Sequence, residues 1–165
     1  MNAQRRMAME LGFPLLVNIK DNNCTVFGGN ASALRRVKEL LRFGAKVTVI
    51  SPILCAELEE MSTNGLIRHI PRKYFRGDCS NSQLCVAATE DDNLNIAIST
   101  ECKNKSIPVN VTSPASYGTF TFPRMVLTDD VVLSLTGTLS SDEMSRLRKK
   151  LAEVLPEMIA DIQSE

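Results

Sequence analysis

The chain has 165 residues, 44% of them hydrophobic and 23% charged, with 19 basic side chains balancing 19 acidic ones. That length holds one well-cored domain with room for a small appended element, and the even charge argues against an extended nucleic-acid footprint. No apolar run is long enough for a membrane span, and Met1–Leu11 carries Arg5-Arg6 without an apolar stretch behind it, which predicts no signal peptide.

The first predicted element is the strand ending Cys24-Thr25-Val26-Phe27, which runs into Gly28-Gly29 and then a helix opening at Asn30-Ala31-Ser32-Ala33. Strand, glycine turn and helix in that order form the setting in which backbone N–H groups meet a pyrophosphate. The fingerprint has Asn30 where a second glycine is expected, and its side chain is expected to occupy the path of a phosphate. A plain strand-to-helix turn remains the other reading of this motif.

Lys46–Ile50 reads as a second strand ended by Ser51-Pro52, followed by a helix from about Ile53 to Asn64 closed by Gly65. Leu66–Ile70 reads as a third strand and Leu84–Ala88 as a buried fourth. A helix over Asp91–Lys103 is expected to place Leu94, Ile96, Ala97 and Ile98 on one side. Val109–Val111 is a further strand. Strands alternating with helices of this length predict a parallel sheet covered on both faces. After Tyr117 the rhythm changes. Phe120–Phe122 and Val131–Leu135 read as strands joined by a turn at Thr128–Asp130, an antiparallel addition to the sheet. A helix then carries Met144, Leu147, Leu151, Val154 and Leu155, with Pro156 expected to kink or restart it.

The five cysteines include no Cys-x-x-Cys pair, and their odd number fits free thiols in a reducing cytoplasm. With one histidine, His69, and no cysteines at ligand spacing, no metal site is expected. His69 reads as structural. Ser140-Ser141-Asp142-Glu143 reads as a capping box at the start of the last helix.

Taken together, Phe13–Ile19, Gly28-Gly29, Gly44–Val49, Ala87–Asp91, Asn95, Val109–Val111 and Phe120–Pro123 resemble the siroheme synthase N-terminal module, the family of precorrin-2 dehydrogenase and sirohydrochlorin ferrochelatase. The resemblance implies a Rossmann-like NAD-binding domain over 13–114, an antiparallel dimerisation segment over 115–139 and a C-terminal helical segment over 140–165. It implies oxidation of precorrin-2 to sirohydrochlorin with NAD as hydride acceptor, in a cytoplasmic homodimer. Cofactor contacts fall on Gly28, Gly29, Asn30, Ala31, Ser32, Ser51, Pro52, Ile53 and Thr89, and substrate contacts on Asn110, Thr138 and Ser140. The family's catalytic aspartate aligns with Ser113. Asn95 matches the pattern too, although a helix-surface position is an equal reading.

Three departures bear on function. Asn30 replaces a glycine, Thr136–Ser141 lacks a glycine and a proline of the family turn, and Ser113 replaces a carboxylate. Serine without a paired base is a poor proton acceptor at neutral pH. Dehydrogenation is therefore expected to survive better than iron insertion. A non-catalytic module that holds NAD or a tetrapyrrole and escorts a partner enzyme is the second reading.

Overall fold

The computed structural model describes residues 12–164, and the expectation of no leader at Met1–Leu11 lies outside them. The chain divides into two compact units, each described here by itself: Val17–Thr121, and Phe122–Ser164 together with residues 12–16.

The first unit is a five-stranded parallel sheet, β1 (Asn23–Phe27), β2 (Lys46–Ile50), β3 (Arg68–Ile70), β4 (Leu84–Ala87) and β5 (Val109–Val111), in the order β3-β2-β1-β4-β5. Its register pairs Val26 with Val49 on one side and with Val86 on the other. All four residues of β4 and all three of β5 are buried, as expected of strands covered on both faces. Helix α1 (Ala31–Arg42) follows β1 and buries Ala33, Val37 and Leu40 at helical spacing. Helix α2 (Ala56–Thr63) follows β2 and buries Leu58. Helix α3 (Asp92–Asn104) joins β4 to β5. The chain leaves β1 toward one sheet edge and β4 toward the other, so right-handed crossovers place α1 and α3 on opposite faces. On the α3 face, Phe27, Ile50, Cys85, Ala87, Val109 and Val111 pack with Ile98 and Cys102.

Several expectations shift. Helix α2 begins at Ala56 rather than Ile53, because the preceding loop is tied down by the Cys55 N–H donating to the Gly29 carbonyl at 2.7 Å. The buried face of α3 consists of Asn95, Ile98, Ser99, Glu101 and Cys102, while Ala97 points to solvent. Phe120–Phe122 is not a strand. The Thr119 N–H donates to the Val109 carbonyl at 2.7 Å and the Asn110 amide donates to the Phe120 carbonyl at 3.1 Å. Those bonds hold the segment beside β5 without a ladder, and Pro123 has no N–H to extend one.

In the second unit, β6 (Arg124–Leu127) and β7 (Val132–Leu135) pair antiparallel as a separate two-stranded sheet, not as an addition to the five-stranded one. Their turn closes with the Thr128 N–H donating to the Val131 carbonyl at 3.0 Å. Helix α4 (Ser141–Ser164) runs through Pro156 as one element and packs on β6, where Met144 and Val126 are buried. The expected capping box is formed: the Ser140 N–H donates to Glu143 at 2.9 Å, and the Glu143 N–H donates to the Ser140 hydroxyl at 3.3 Å. These bonds hold the Glu143 carboxyl below its ordinary value, the Ser140 hydroxyl contributing most.

Candidate functional site

Between β1 and β4 the chain changes direction, and at such a switch point open α/β sheets place their ligands in the crevice outside the carboxyl ends of the strands. Gly28 leaves β1 with φ of +118°, and its N–H donates to the Ile50 carbonyl at 3.1 Å. A Cβ on Gly28 would lie 2.3 Å from the Ala88 carbonyl oxygen, and one on Gly29 would lie 1.9 Å from that of Ile53. The glycine pair is thus needed where backbones of the loops after β1, β2 and β4 close on one another.

Asn30 follows the glycine pair. It is the N-cap of α1: its Oδ1 accepts from the Ala33 N–H at 3.0 Å, and its Nδ2 donates to the Ala88 carbonyl at 3.1 Å. The side chain is drawn across to β4, which leaves the short side chains of Ala31 and Ser32 exposed at the helix start. The first turn of α1 holds no acidic residue, whereas those of α2, α3 and α4 all do. A helix N-terminus without a carboxylate of its own retains its attraction for an external anion.

Across the crevice, Thr89 follows β4, and Asn95 of α3 organises it. Asn95 is fully buried. Its Oδ1 accepts from the Thr89 N–H at 3.0 Å and the Thr89 hydroxyl at 2.8 Å. Its Nδ2 donates to the Thr89 carbonyl at 3.1 Å and the Ser113 carbonyl at 2.9 Å. One amide therefore ties the loop after β4 to the loop after β5. Its sequence signal was only its match to a pattern, since the surrounding apolar spacing pointed to another helix face.

Ser113 follows β5 with an exposed side chain, and its hydroxyl finds no partner among the described residues. Asn110, within β5, is 5% exposed, and its Oδ1 is the one buried side-chain polar atom without a hydrogen bond among the described residues. An orphaned buried acceptor is costly unless a ligand donor reaches it. At the end of β2, the Ser51 hydroxyl donates to the Ile53 carbonyl at 2.7 Å, and His69 meets the Ser51 carbonyl through Nε2 at 2.9 Å. Pro52 and Ile53 are exposed beyond it, with Ile53 at 77%. Gly28, Gly29, Asn30, Ala31, Ser32, Ser51, Pro52, Ile53 and Thr89 thus share the carboxyl edge of one sheet. Thr138 and Ser140 belong to the second unit, where the Ser140 hydroxyl is occupied by Glu143 at 2.6 Å.

The spacing argument against a metal site missed one grouping. Cys79, Cys85 and Cys102, contributed by a loop, a strand and a helix, bring their sulfurs within 4.8 Å of one another. Among the described residues no helix is long and apolar enough to cross a membrane.

Residues 15–124 match a family described as putative NAD(P)-binding. The chain is 35% identical over 145 residues to the siroheme synthase of Thioalkalivibrio sulfidiphilus (strain HL-EbGR7), covering 87% of this chain and 30% of that protein. It is also 35% identical over 148 residues to the siroheme synthase of Nitrosospira multiformis, covering 87% of this chain and 31% of that one. The chain thus spans less than a third of the length of these curated relatives. Among solved structures, SirC, a precorrin-2 dehydrogenase, superposes with a TM-score of 0.73 at 26% identity, over 86% of this chain and 70% of that one.

Proposed function

From the premise that the chain belongs to the putative NAD(P)-binding family in its siroheme synthase N-terminal form, we propose that it is an NAD-dependent precorrin-2 dehydrogenase that forms sirohydrochlorin. The observation that carries this reading is the switch point between β1 and β4. It joins an α1 N-terminus free of acidic residues to a rigid edge built by Asn30 and Asn95. NAD, when bound, supplies the ring carbon that accepts a hydride.

The protein's own part is to bind and orient. The N–H groups of Ala31 and Ser32 would hold the pyrophosphate, and Ile53 would offer an apolar surface to the adenosine. Thr89, fixed by Asn95, would line the cofactor site, and the orphaned Asn110 Oδ1 would accept from an N–H of nicotinamide or substrate. No carboxylate stands among Ser51, Pro52 and Ile53 to select between NAD and NADP, and the NAD preference rests on kinship with the dehydrogenase module. Thr138 and Ser140 remain proposed substrate contacts. Five free cysteines fit a cytoplasmic setting.

Ser113 sets the balance of activities. Proton release during dehydrogenation can pass to water or to substrate carboxylates, whereas iron insertion strips two pyrrole protons as a cation enters. The test measures sirohydrochlorin formation with NAD, then siroheme formation with ferrous iron, for the wild type and Ser113→Asp. The expected outcome is slow oxidation by the wild type, iron insertion no faster than buffer, and at least ~tenfold faster oxidation by the variant, within the range of a restored base. Robust iron insertion by the wild type would overturn the reading of Ser113. No oxidation by either protein, with NAD binding retained, would favour the non-catalytic module.

A further inference from the structure

Away from the crevice loops, the α3 face of the sheet contains a feature that the proposed reaction does not use. Cys79 comes from the loop between β3 and β4, Cys85 from β4 and Cys102 from the last turns of α3. All three are fully buried, and their sulfurs lie within 4.8 Å of one another. Phe27, Ile98, Val109 and Val111 surround them, with Tyr74 and Ile107 packed alongside. No histidine or carboxylate joins the group. Glu101, next in sequence to Cys102, is committed elsewhere: it accepts from the Tyr74 hydroxyl and from the Gly77 N–H at 2.9 Å, and pairs with Lys105 at 3.3 Å.

The geometry points to a buried three-sulfur site, formed by Cys79, Cys85 and Cys102, that takes a soft three-coordinate ion, copper(I). The donor set decides the ion. Hard cations take oxygen ligands, structural zinc is held by four protein ligands, and sulfurs within 4.8 Å of one another enclose a single ion and not an iron–sulfur cluster, whereas thiolates select soft ions. Among the described residues no fourth cysteine, histidine, aspartate or glutamate joins the three, and the one hydroxyl beside them, that of Ser82 next to Cys85, is a hard oxygen that a soft ion disfavours. As copper–sulfur bonds form, the thiol protons leave to the buffer, and no electron is transferred.

Entry runs through the loop that carries Cys79. Residues 71–83 form no ladder with the sheet and are held closed by side chains. Arg72 grips Asp78 with two bonds of 2.7 and 2.8 Å, and Glu101 holds Tyr74 and Gly77. Its backbone bonds to the strands lie at its two ends, from the Arg72 N–H to the Ile70 carbonyl at 2.9 Å and from the Gln83 N–H to the Asn23 carbonyl at 2.8 Å, so its middle opens locally without unfolding the sheet. The ion would add a direct tie from the loop and α3 to β4.

The test titrates the reduced full chain with copper(I) under anaerobic conditions, in competition with a chromophoric copper(I) chelator, and counts sulfur neighbours by X-ray absorption. One copper per chain with three sulfur neighbours is expected. Cys79→Ser, on the loop, should lower affinity by at least ~100-fold, the upper range for disturbing a supporting group and a lower bound for losing a ligand. Cys55→Ser should leave affinity unchanged. If Cys79→Ser fails to fold by circular dichroism, alkylation of the wild type decides: copper should protect Cys79, Cys85 and Cys102 but not Cys55. Absence of uptake, two sulfur neighbours, an oxygen or nitrogen neighbour, unchanged affinity in folded Cys79→Ser, or protection of Cys55 would each overturn the site.

Discussion

Asn95 makes four hydrogen bonds to two loops from a fully buried position, so its loss leaves several buried groups without partners. Asn95→Ala is expected to destabilise the first unit by ~1–3 kcal/mol, the range for an unsatisfied buried group, and to weaken NAD binding. Urea denaturation and calorimetric titration measure the two effects, and an unchanged midpoint would contradict the structural role. Ser32 allows the complementary experiment. It is exposed in the first turn of α1, where a negative charge suits the helix dipole but opposes a pyrophosphate. Ser32→Glu should therefore preserve or raise the melting temperature while weakening NAD by at least about tenfold, roughly the 1.4 kcal/mol of one charge placed against another. Equal NAD affinity would move the cofactor away from this turn. A glycine substitution cannot make that separation, because a Cβ at Gly28 strikes the Ala88 backbone before it meets any ligand.

Among the elements, α4 carries the clearest pH response. Hydrogen bonds from Ser140 hold the Glu143 carboxyl below its ordinary value, so its stabilising effect is full above the unfolded-state pKa of about 4.3. It is lost as the pH falls through the lower folded-state value, since the unfolded chain binds the proton first. The helical signal of the wild type should thus decline on acidification below that range, and Glu143→Gln should flatten the decline. Circular dichroism from neutral pH downward checks this; identical profiles would show that the box does not hold the helix. The same element shows what sequence conveys well. Ser140 and Glu143 announce a cap because both partners lie within one turn, and the strand–helix alternation is legible because parallel strands are apolar throughout. Phe120–Phe122 misled because its alternation suits a strand, while tertiary bonds from Thr119 and Asn110 and the missing N–H of Pro123 deny it a ladder. Asn30 and Asn95 were legible only as pattern matches, since each works through a backbone distant in sequence. The cysteine group was illegible for the same reason: its three members meet only when a loop, a strand and a helix have docked.

At the scale of the whole molecule, the second unit exposes Val132 at 49%, Leu139 at 51%, Val154 at 45%, Met158 at 54% and Ile162 at 71%. Apolar side chains spread over a two-stranded sheet and one helix are more than that unit covers by itself, which supports the homodimer that the family resemblance implies. Sedimentation should give a dimer at micromolar concentration, and Val132→Asp or Met158→Asp should shift it to monomer with helicity unchanged. A monomeric wild type would refute it.

The position of β1 has a temporal consequence. It lies in the middle of the five strands, paired on one side with β2 and on the other with β4. On the ribosome, its first neighbour follows soon after, but roughly 60 residues separate the end of β1 at Phe27 from the end of β4 at Ala87. At about 5–20 residues per second, the second edge of β1 waits on the order of several seconds with its backbone groups unpaired. During that wait Val26 and Phe27, wholly enclosed in the finished protein, lack their β4 neighbours. A nascent chain paused with β1 and β2 but not β4 outside the exit tunnel should accordingly recruit a holdase or associate through that edge, and one paused after β5 has left the tunnel should not.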